Sequence, residues 1–177
     1  RFGGDPGPLV FADMNADGFT DVVWSHDDWE SDFRVADGLS GKMLWVVRKP
    51  SYMVTGMTAT NLDSDEQPEI LFASYGLWSD SKTSWNVLDL GDPEPLWQDV
   101  HRYPAVGFSV AGDHDGNRAP DLAVLRSAAE YNGPLTMELR DGENRRLLRG
   151  PVPLTIDGAA FSVAAVASGD VDGDRRD

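Results

Sequence analysis

The stretch Asp13-Met14-Asn15-Ala16-Asp17-Gly18-Phe19-Thr20-Asp21 places an acidic or amide side chain at positions one, three, five and nine. Two further stretches with this spacing begin at Asn61 and Asp113, and a fourth, which begins at Asp170, stops one residue short of its ninth position. The four starts therefore recur about every 50 residues, on the scale of the structural repeats that build propellers and solenoids. A recurrence of this kind indicates that the chain is built from similar supersecondary units rather than from one irregular domain.

A second marker lies between the acidic stretches. An aspartate opens a turn-like segment at Asp37, Asp89 and Asp141, and these three positions are equally spaced. Because the two markers alternate in the same order, chance similarity is a poor explanation of either. Gly38 and Gly142 follow the aspartate in two of the three segments. We expect them to supply a positive φ in a tight turn between two strands.

Short apolar runs flank each acidic stretch and each turn, and no run with a helical period competes with them. Val22-Val23-Trp24 and Ile70-Leu71-Phe72, for example, directly follow acidic stretches. Each unit therefore reads as four short strands with the acidic loop between strands one and two. This pattern predicts an all-β fold, a β-propeller fragment of about three four-stranded blades plus the start of a fourth. A β-sandwich is the alternative, but it gives no reason for an acidic loop at every fourth strand.

The predicted repeats span residues 9–53, 54–105, 106–160 and 161–177, and the last of them is truncated. Together they form one partial propeller over residues 1–177. Propellers usually close with four to eight blades. We therefore expect the chain to be an excerpt of a longer protein, or one part of an assembly in which the same chain or another copy supplies further blades.

The acidic loops have the ligand pattern of a hard-cation site, with side-chain oxygens at positions one, three, five and nine and a backbone carbonyl at position seven. Calcium takes six to eight oxygen ligands in flexible geometry, whereas magnesium requires near-ideal octahedral geometry and keeps its waters. Carboxylates packed this closely repel one another without a cation. We expect about one Ca²⁺ per complete loop. The predicted ligands are Asp13, Asn15, Asp17, Asp21 and the carbonyl of Phe19; Asn61, Asp63, Asp65, Glu69 and the carbonyl of Gln67; Asp113, Asp115, Asn117, Asp121 and the carbonyl of Ala119; and Asp170, Asp172 and Asp174 in the truncated fourth loop.

At these residues the chain resembles the FG-GAP/VCBS repeat family, whose calcium-bearing blades form integrin-α-type propellers. The family pattern is approximately Asp-x-Asp-x-Asp-Gly-x-x-Asp followed by an apolar strand. Residues 13–21 and 113–121 match it well, and residues 61–69 match it loosely because Glu66 replaces the usual Gly. The resemblance covers nearly the whole chain and implies a calcium-binding propeller. Family members include adhesion receptors, lectins, and propellers attached to or forming polysaccharide lyases.

Composition narrows the class of partner. The chain has 15 basic and 30 acidic residues and a formal net charge of −15. This charge argues against nucleic acid as a partner, since nucleic-acid binding rests on phosphate neutralisation by Lys and Arg. No apolar run approaches the ~20 residues that span a bilayer, so we expect no membrane insertion. Short surface loops suit the millimolar calcium outside cells, and we therefore expect a secreted or cell-surface protein.

The sequence gives no positive case for catalysis, because no nucleophile motif or phosphate loop is present. The predicted loops between strands two and three carry Trp29, Trp78 and Tyr131. They would share the end of the blades opposite the acidic loops, where aromatic faces suit sugar C–H faces. The bland alternative is that these aromatics are packing residues. The predicted function is a binding or adhesion module for glycans or extracellular proteins. The alternative is the propeller portion of a carbohydrate-active enzyme, such as a polysaccharide lyase, with catalysis outside this chain.

Overall fold

The computed structural model describes residues 5–27, 32–48, 52–62, 65–76, 83–89, 97–101, 105–127 and 134–154. These residues form twelve strands in three four-stranded sheets and contain no helix. The prediction of an all-β chain is therefore confirmed for this part of the molecule. No helix among these ranges is long and apolar enough to cross a membrane.

The three sheets have the same order of elements. Sheet 1 contains β1 (Asp5–Ala12), β2 (Asp21–Asp27), β3 (Asp32–Ala36) and β4 (Met43–Arg48). Sheet 2 contains β5 (Tyr52–Thr60), β6 (Glu69–Gly76), β7 (Thr83–Leu88) and β8 (Trp97–His101). Sheet 3 contains β9 (Ala105–Val110), β10 (Leu122–Ser127), β11 (Leu135–Arg140) and β12 (Leu147–Leu154). In each sheet the strands lie side by side in chain order, and the first two are joined by an acidic loop.

The chain divides into two compact units, of which the first contains residues 1–61 and 65–100 and the second residues 62–64 and 101–177. In the first unit, one face of sheet 1 packs against sheet 2 in a single apolar core. Alternation along β3 buries Phe33 and Val35 on that face. The rings of Phe33 and Phe72 are 4.5 Å apart between centroids and tilted by 55°. This aromatic pair joins the middles of the two sheets.

The opposite face of sheet 1 exposes several apolar side chains. Leu9 lies opposite Trp24, Trp24 opposite Arg34, and Arg34 opposite Val46, so the face crosses all four strands. Leu9, Phe11 and Val46 are each more than half exposed. Sheet 1 therefore has one face in the core and one face that presents apolar side chains to solvent.

A polar cluster is buried on the face of sheet 2 that carries Phe72. Ser74 lies opposite Ser84 in the antiparallel register, and their hydroxyl oxygens are 2.7 Å apart. Asn86 donates from Nδ2 to Ser74 Oγ at 3.2 Å and to Ser84 Oγ at 3.1 Å. All three side chains are buried. Their mutual hydrogen bonds make this burial tolerable, because a buried polar group without a partner is destabilising.

The second unit is built around sheet 3, where Leu122, Val124 and Leu135 are buried. Beside Leu122 and Val124, Glu138 accepts hydrogen bonds from two arginines on the same sheet. Its Oε2 atom lies 3.0 Å from Arg126 Nε and 2.8 Å from Arg140 Nε. The nearly buried carboxylate is therefore paired on both sides.

Candidate cation site in the acidic loops

The acidic loop and the Asp-Gly turn meet at one end of sheets 1 and 3. In sheet 1, Gly38 N donates to Asp21 Oδ1 at 2.9 Å. A Cβ atom added at Gly38 would lie 1.8 Å from the carbonyl oxygen of Thr20. In sheet 3, a Cβ atom at Gly142 would lie 2.1 Å from the carbonyl oxygen of Pro120. The turn backbone is therefore in direct contact with the last residues of the loop.

This contact corrects the role predicted for the two glycines. Neither Gly38 nor Gly142 has a positive φ. The left-handed residue of each turn lies three positions later, at Gly41 (φ 69°) and Arg145 (φ 66°). Gly38 and Gly142 are needed because any side chain would collide with the neighbouring backbone. The sequence pattern identified the turns correctly but assigned the wrong reason to these glycines.

The first loop folds around its own side-chain oxygens. Asp13 accepts hydrogen bonds from Asp17 N at 3.0 Å and Gly18 N at 2.7 Å. Asn15 Oδ1 accepts a second bond from Asp17 N at 3.0 Å, and Asp17 Oδ1 accepts one from Phe19 N at 2.8 Å. The side chains at positions one, three and five thus accept hydrogen bonds from the backbone amides of their own loop.

The ninth residue of the first loop is buried and fully hydrogen bonded. Asp21 Oδ2 accepts from Met14 N at 2.9 Å, and Asp21 Oδ1 accepts from Gly38 N. Met14, at position two, is itself fully buried within the core of the first unit. The loop is therefore anchored at two points, by a methionine in the core and by a carboxylate that ties both ends of the loop to the turn.

The third loop makes a similar set of hydrogen bonds. Asp113 accepts from Gly116 N at 2.7 Å and from Arg118 N at 2.8 Å. Asn117 N donates to Asp115 Oδ1 at 3.1 Å, and Asn117 Oδ1 accepts from the amide at position seven at 2.8 Å. The amide of Gln67 in the second loop makes the equivalent bond to Asp65 Oδ1 at 2.6 Å. All three loops thus share the contact between positions five and seven.

The third loop brings three carboxylates together. Asp113, Asp115 and Asp121 each offer an oxygen, and these three atoms lie within 4.8 Å of one another. Within the ranges that the structure describes, no other group of three acidic, histidine or cysteine side chains meets this condition. An all-oxygen set at this spacing can hold a metal ion.

Asp121 provides an independent sign of a missing partner. It is fully buried, and its Oδ2 accepts from His114 N at 2.7 Å, but its Oδ1 has no hydrogen-bond partner. Burial raises the pKa of the Asp121 carboxyl, and the nearby charges of Asp115 and Asp141 act in the same direction. A buried carboxylate oxygen without a partner is destabilising, and a cation beside it would supply that partner.

Asp37 and Asp141, the first residues of the two turns, also contact the loops, which the sequence analysis did not anticipate. Asn117 Nδ2 donates to Asp141 Oδ1 at 3.2 Å, and Asn15 Nδ2 lies 3.5 Å from Asp37 Oδ2. Hydrogen bonds from Ser40 lower the pKa of Asp37. The sequence did carry a signal of this contact, because the aspartates alternate regularly with the acidic loops. That alternation places both markers in one repeat, but it does not show that they are in contact.

The second loop is described in part. Asn61 Nδ2 donates to the carbonyl of Asp65, and Glu69, at position nine, is buried. Several predicted site residues lie outside the described residues: Asp63 of the second loop; Asp170, Asp172 and Asp174 of the fourth; and the aromatic residues Trp29, Trp78 and Tyr131. Their predicted roles remain predictions.

Comparison with known proteins adds no relative, because no protein-family model matches the chain and no curated protein matches it significantly. The class defined by the fold and the site is therefore an all-β protein of four-stranded sheets with an acidic cluster able to hold a metal ion.

Proposed function

We propose that this chain is a calcium-stabilised β-propeller module that binds glycans or extracellular proteins. The observation that carries the calcium part is the third loop, where Asp113, Asp115 and Asp121 converge and one buried oxygen of Asp121 lacks a partner. A cation at this point would neutralise the mutual repulsion of three carboxylates and satisfy that oxygen.

The chemistry of the donors favours calcium. The converging groups are carboxylates, with the amide of Asn117 and the carbonyl of Ala119 as the further predicted ligands, and the chain has no cysteine. Oxygen-only sites suit hard cations, and flexible loops tolerate the variable coordination of calcium better than the strict octahedron of magnesium. When bound, the ion would cross-link the connection between β9 and β10.

Three features support the propeller architecture. Each sheet has four strands in chain order, each first connection is an acidic loop, and sheet 1 packs face to face on sheet 2. Propeller blades are four-stranded sheets packed in this manner. A circular arrangement of further blades follows from the proposal and is not needed for the cation site.

The partner-binding end is proposed from topology. In a four-stranded antiparallel sheet, the connection between strands two and three leaves from the end opposite the two other connections. Trp29, Trp78 and Tyr131 fall in those connections by sequence. Aromatic residues there would offer stacking surfaces to sugar rings or a protein partner. Because calcium supports the opposite end, the proposal separates the stabilising site from the recognition site.

Calcium dependence is tested by comparing thermal and urea unfolding in EGTA with unfolding in about 10 mM calcium. For a site with the affinity of extracellular modules, roughly 10⁻⁴–10⁻³ M, each bound ion should add about 1.4–2.7 kcal/mol. Asp113→Asn should remove a large part of this gain. Glu143→Gln is the matched control, since it removes one exposed negative charge outside the loop.

An unfolding curve that is the same with calcium and with EGTA would refute the calcium proposal. A dissociation constant below micromolar would instead contradict the extracellular assignment, because such a site would already be filled at intracellular calcium levels. The two outcomes are separated by measuring the binding constant directly by calorimetry.

Ligand recognition is tested on a glycan array with the chain in calcium and after chelation. Alanine variants of Trp29, Trp78 and Tyr131 should lose binding and keep the calcium-dependent melt. Phe11→Ala is the control, because Phe11 is an exposed aromatic residue on a sheet face. If the three variants unfold instead, these aromatics are packing residues and the recognition site lies elsewhere.

A further inference from the structure

One arginine reaches the candidate cation site from the neighbouring turn. Arg146 lies at the end of the turn that begins at Asp141, and its Nη2 atom is 2.9 Å from Asp115 Oδ2 and 4.0 Å from Asp141 Oδ2. The other oxygen of Asp115 accepts a hydrogen bond from Asn117 N. The guanidinium therefore contacts the oxygen of Asp115 that accepts no hydrogen bond from the loop backbone.

The first loop lacks this contact. Lys42 is the equivalent residue of the first turn, because it follows Asp37 at the same distance as Arg146 follows Asp141. Within the described residues Lys42 makes no ion pair; its backbone N donates to Ser40 Oγ, and its backbone carbonyl accepts from Asp37 N. The same turn position thus carries a positive charge in both sheets, but only the arginine is fixed to a predicted metal ligand.

We propose that Arg146 is an internal competitor for the third cation site, which lowers its calcium affinity and must release Asp115 when the ion binds. The inference rests on the proposed calcium function. The site has a second indication besides its acidic residues, since the buried Oδ1 of Asp121 has no partner. The guanidinium satisfies Asp115 Oδ2 by one charge-assisted hydrogen bond from Nη2 but does not satisfy the buried oxygen of Asp121.

The size of the effect follows from the exposure of the pair. The Arg146 side chain is 65% exposed, so its bond to Asp115 is a surface ion pair that water and salt weaken. Removing it should tighten calcium binding about fivefold, the upper range for an exposed ion pair. The gain should shrink as ionic strength rises. Arg146 therefore adjusts the working calcium range of the site and does not block it.

The test is a calcium titration of the 177-residue chain followed by amide NMR, in which Gly116 reports the third loop and Gly18 reports the first. Arg146→Gln should tighten binding at Gly116 about fivefold and leave Gly18 unchanged. Arg146→Lys keeps the positive charge but not the planar guanidinium. Its calcium affinity at Gly116 should lie between those of the wild type and Arg146→Gln. Lys42→Gln is the matched control and should leave the affinity at Gly116 unchanged.

The outcomes distinguish this inference from the proposed function. If wild type binds calcium at Gly116 and Arg146→Gln binds with the same affinity, the competitor role is refuted and the calcium site stands. If neither protein binds at Gly116, both proposals fail. Equal tightening by Lys42→Gln would also refute the inference, because the effect would then come from net charge rather than from the contact with Asp115.

Discussion

The first and third acidic loops make similar hydrogen bonds within the loop but differ at the ninth residue. In the first, both oxygens of Asp21 accept backbone hydrogen bonds, from Met14 N and Gly38 N. In the third, Asp121 accepts one bond and keeps a buried oxygen without a partner. The same backbone frame can thus satisfy both oxygens of its ninth residue or leave one of them without a partner, according to whether the turn amide donates to it.

The two loops also carry their glycine at different positions. Positions four and six have positive φ in both, at Ala16 (57°) and Gly18 (87°) and at Gly116 (83°) and Arg118 (78°). Each loop therefore has one glycine and one residue with a side chain in the left-handed region. Since that region is unfavourable for residues with a Cβ atom, both loops store a small strain at the position without glycine.

The largest expected effect breaks the contact that the two loops share. Gly38→Ala and Gly142→Ala should each lower the free energy of unfolding by about 2–4 kcal/mol, because the new Cβ would overlap a backbone carbonyl oxygen. Gly18→Ala is the graded control: nothing lies within 4 Å of its added Cβ, so only its φ is unfavourable. Urea unfolding measures all three, and equal losses would show that close approach is not the cause.

The next effect should have opposite signs in the two loops. In calcium-free buffer, Asp21→Asn should destabilise by about 1–3 kcal/mol, since the new amide group would face a backbone N–H donor. Asp121→Asn should stabilise by about 1 kcal/mol, since it removes a buried charge whose Oδ1 has no partner. Both variants should weaken calcium binding. Losses of equal sign in calcium-free urea unfolding would contradict the difference drawn between the loops.

A smaller effect on stability is expected from introducing glycine at the two positions where a residue with a side chain has a positive φ. Ala16→Gly and Arg118→Gly should each raise the free energy of unfolding by about 0.5–1 kcal/mol, after the entropy that glycine adds to the unfolded chain is subtracted. Gly41→Ala should have the opposite sign, because Gly41 has a φ of 69°. Chemical unfolding in calcium-free buffer is the measurement, and destabilised glycine variants would disprove stored strain at these positions.

The smallest effect is a difference in pH dependence. Burial raises the pKa of Asp121, so its contribution to metal-free stability is most favourable below its ordinary value of about 3.9 and is lost as pH rises through the raised pKa. Ser40 lowers the pKa of Asp37, so its contribution is present above about 3.9 and is lost as pH falls through the lowered pKa.

Urea midpoints measured from acid to neutral pH in calcium-free buffer should show these two slopes by difference. Asp121→Asn should flatten a fall in stability with rising pH, and Asp37→Asn should flatten a rise. If the wild type and both variants show parallel pH profiles, Asp121 and Asp37 do not contribute opposite pH dependences to stability.

The strands could be predicted because their signals are local. Val22-Val23-Trp24 and Ile70-Leu71-Phe72 fall inside β2 and β6, and the acidic stretches fall between the first and second strands of each sheet. The alternating burial of strand residues, as at Phe33 and Val35, follows from the two-residue period of apolar side chains in the sequence. The boundaries were less exact, since β1 begins at Asp5, four residues before the predicted start of the first repeat at residue 9.

The details of the site could not be predicted because they depend on contacts between distant segments. The equal spacing of Asp37 and Asp141 did not reveal that the turns contact the loops. It also did not reveal that Gly38 and Gly142 are required because the turn backbone lies so close to the loop backbone. The complete burial of Met14 in the core, at position two of an acidic loop, was not predicted. Which carboxylate oxygen lacks a partner is likewise a property of packing, and no residue-type pattern records it.

The buried cluster of Ser74, Ser84 and Asn86 has a consequence for how this sequence can change over time. Replacing one member removes a hydrogen bond from each of the other two in the interior, at a cost of about 1–3 kcal/mol, whereas replacing all three by apolar residues of similar volume can be nearly neutral. A one-residue slip between β6 and β7 would also turn the cluster to the other face of the sheet. Single substitutions at these three positions should therefore be selected against during evolution, whereas a joint replacement of all three should be tolerated.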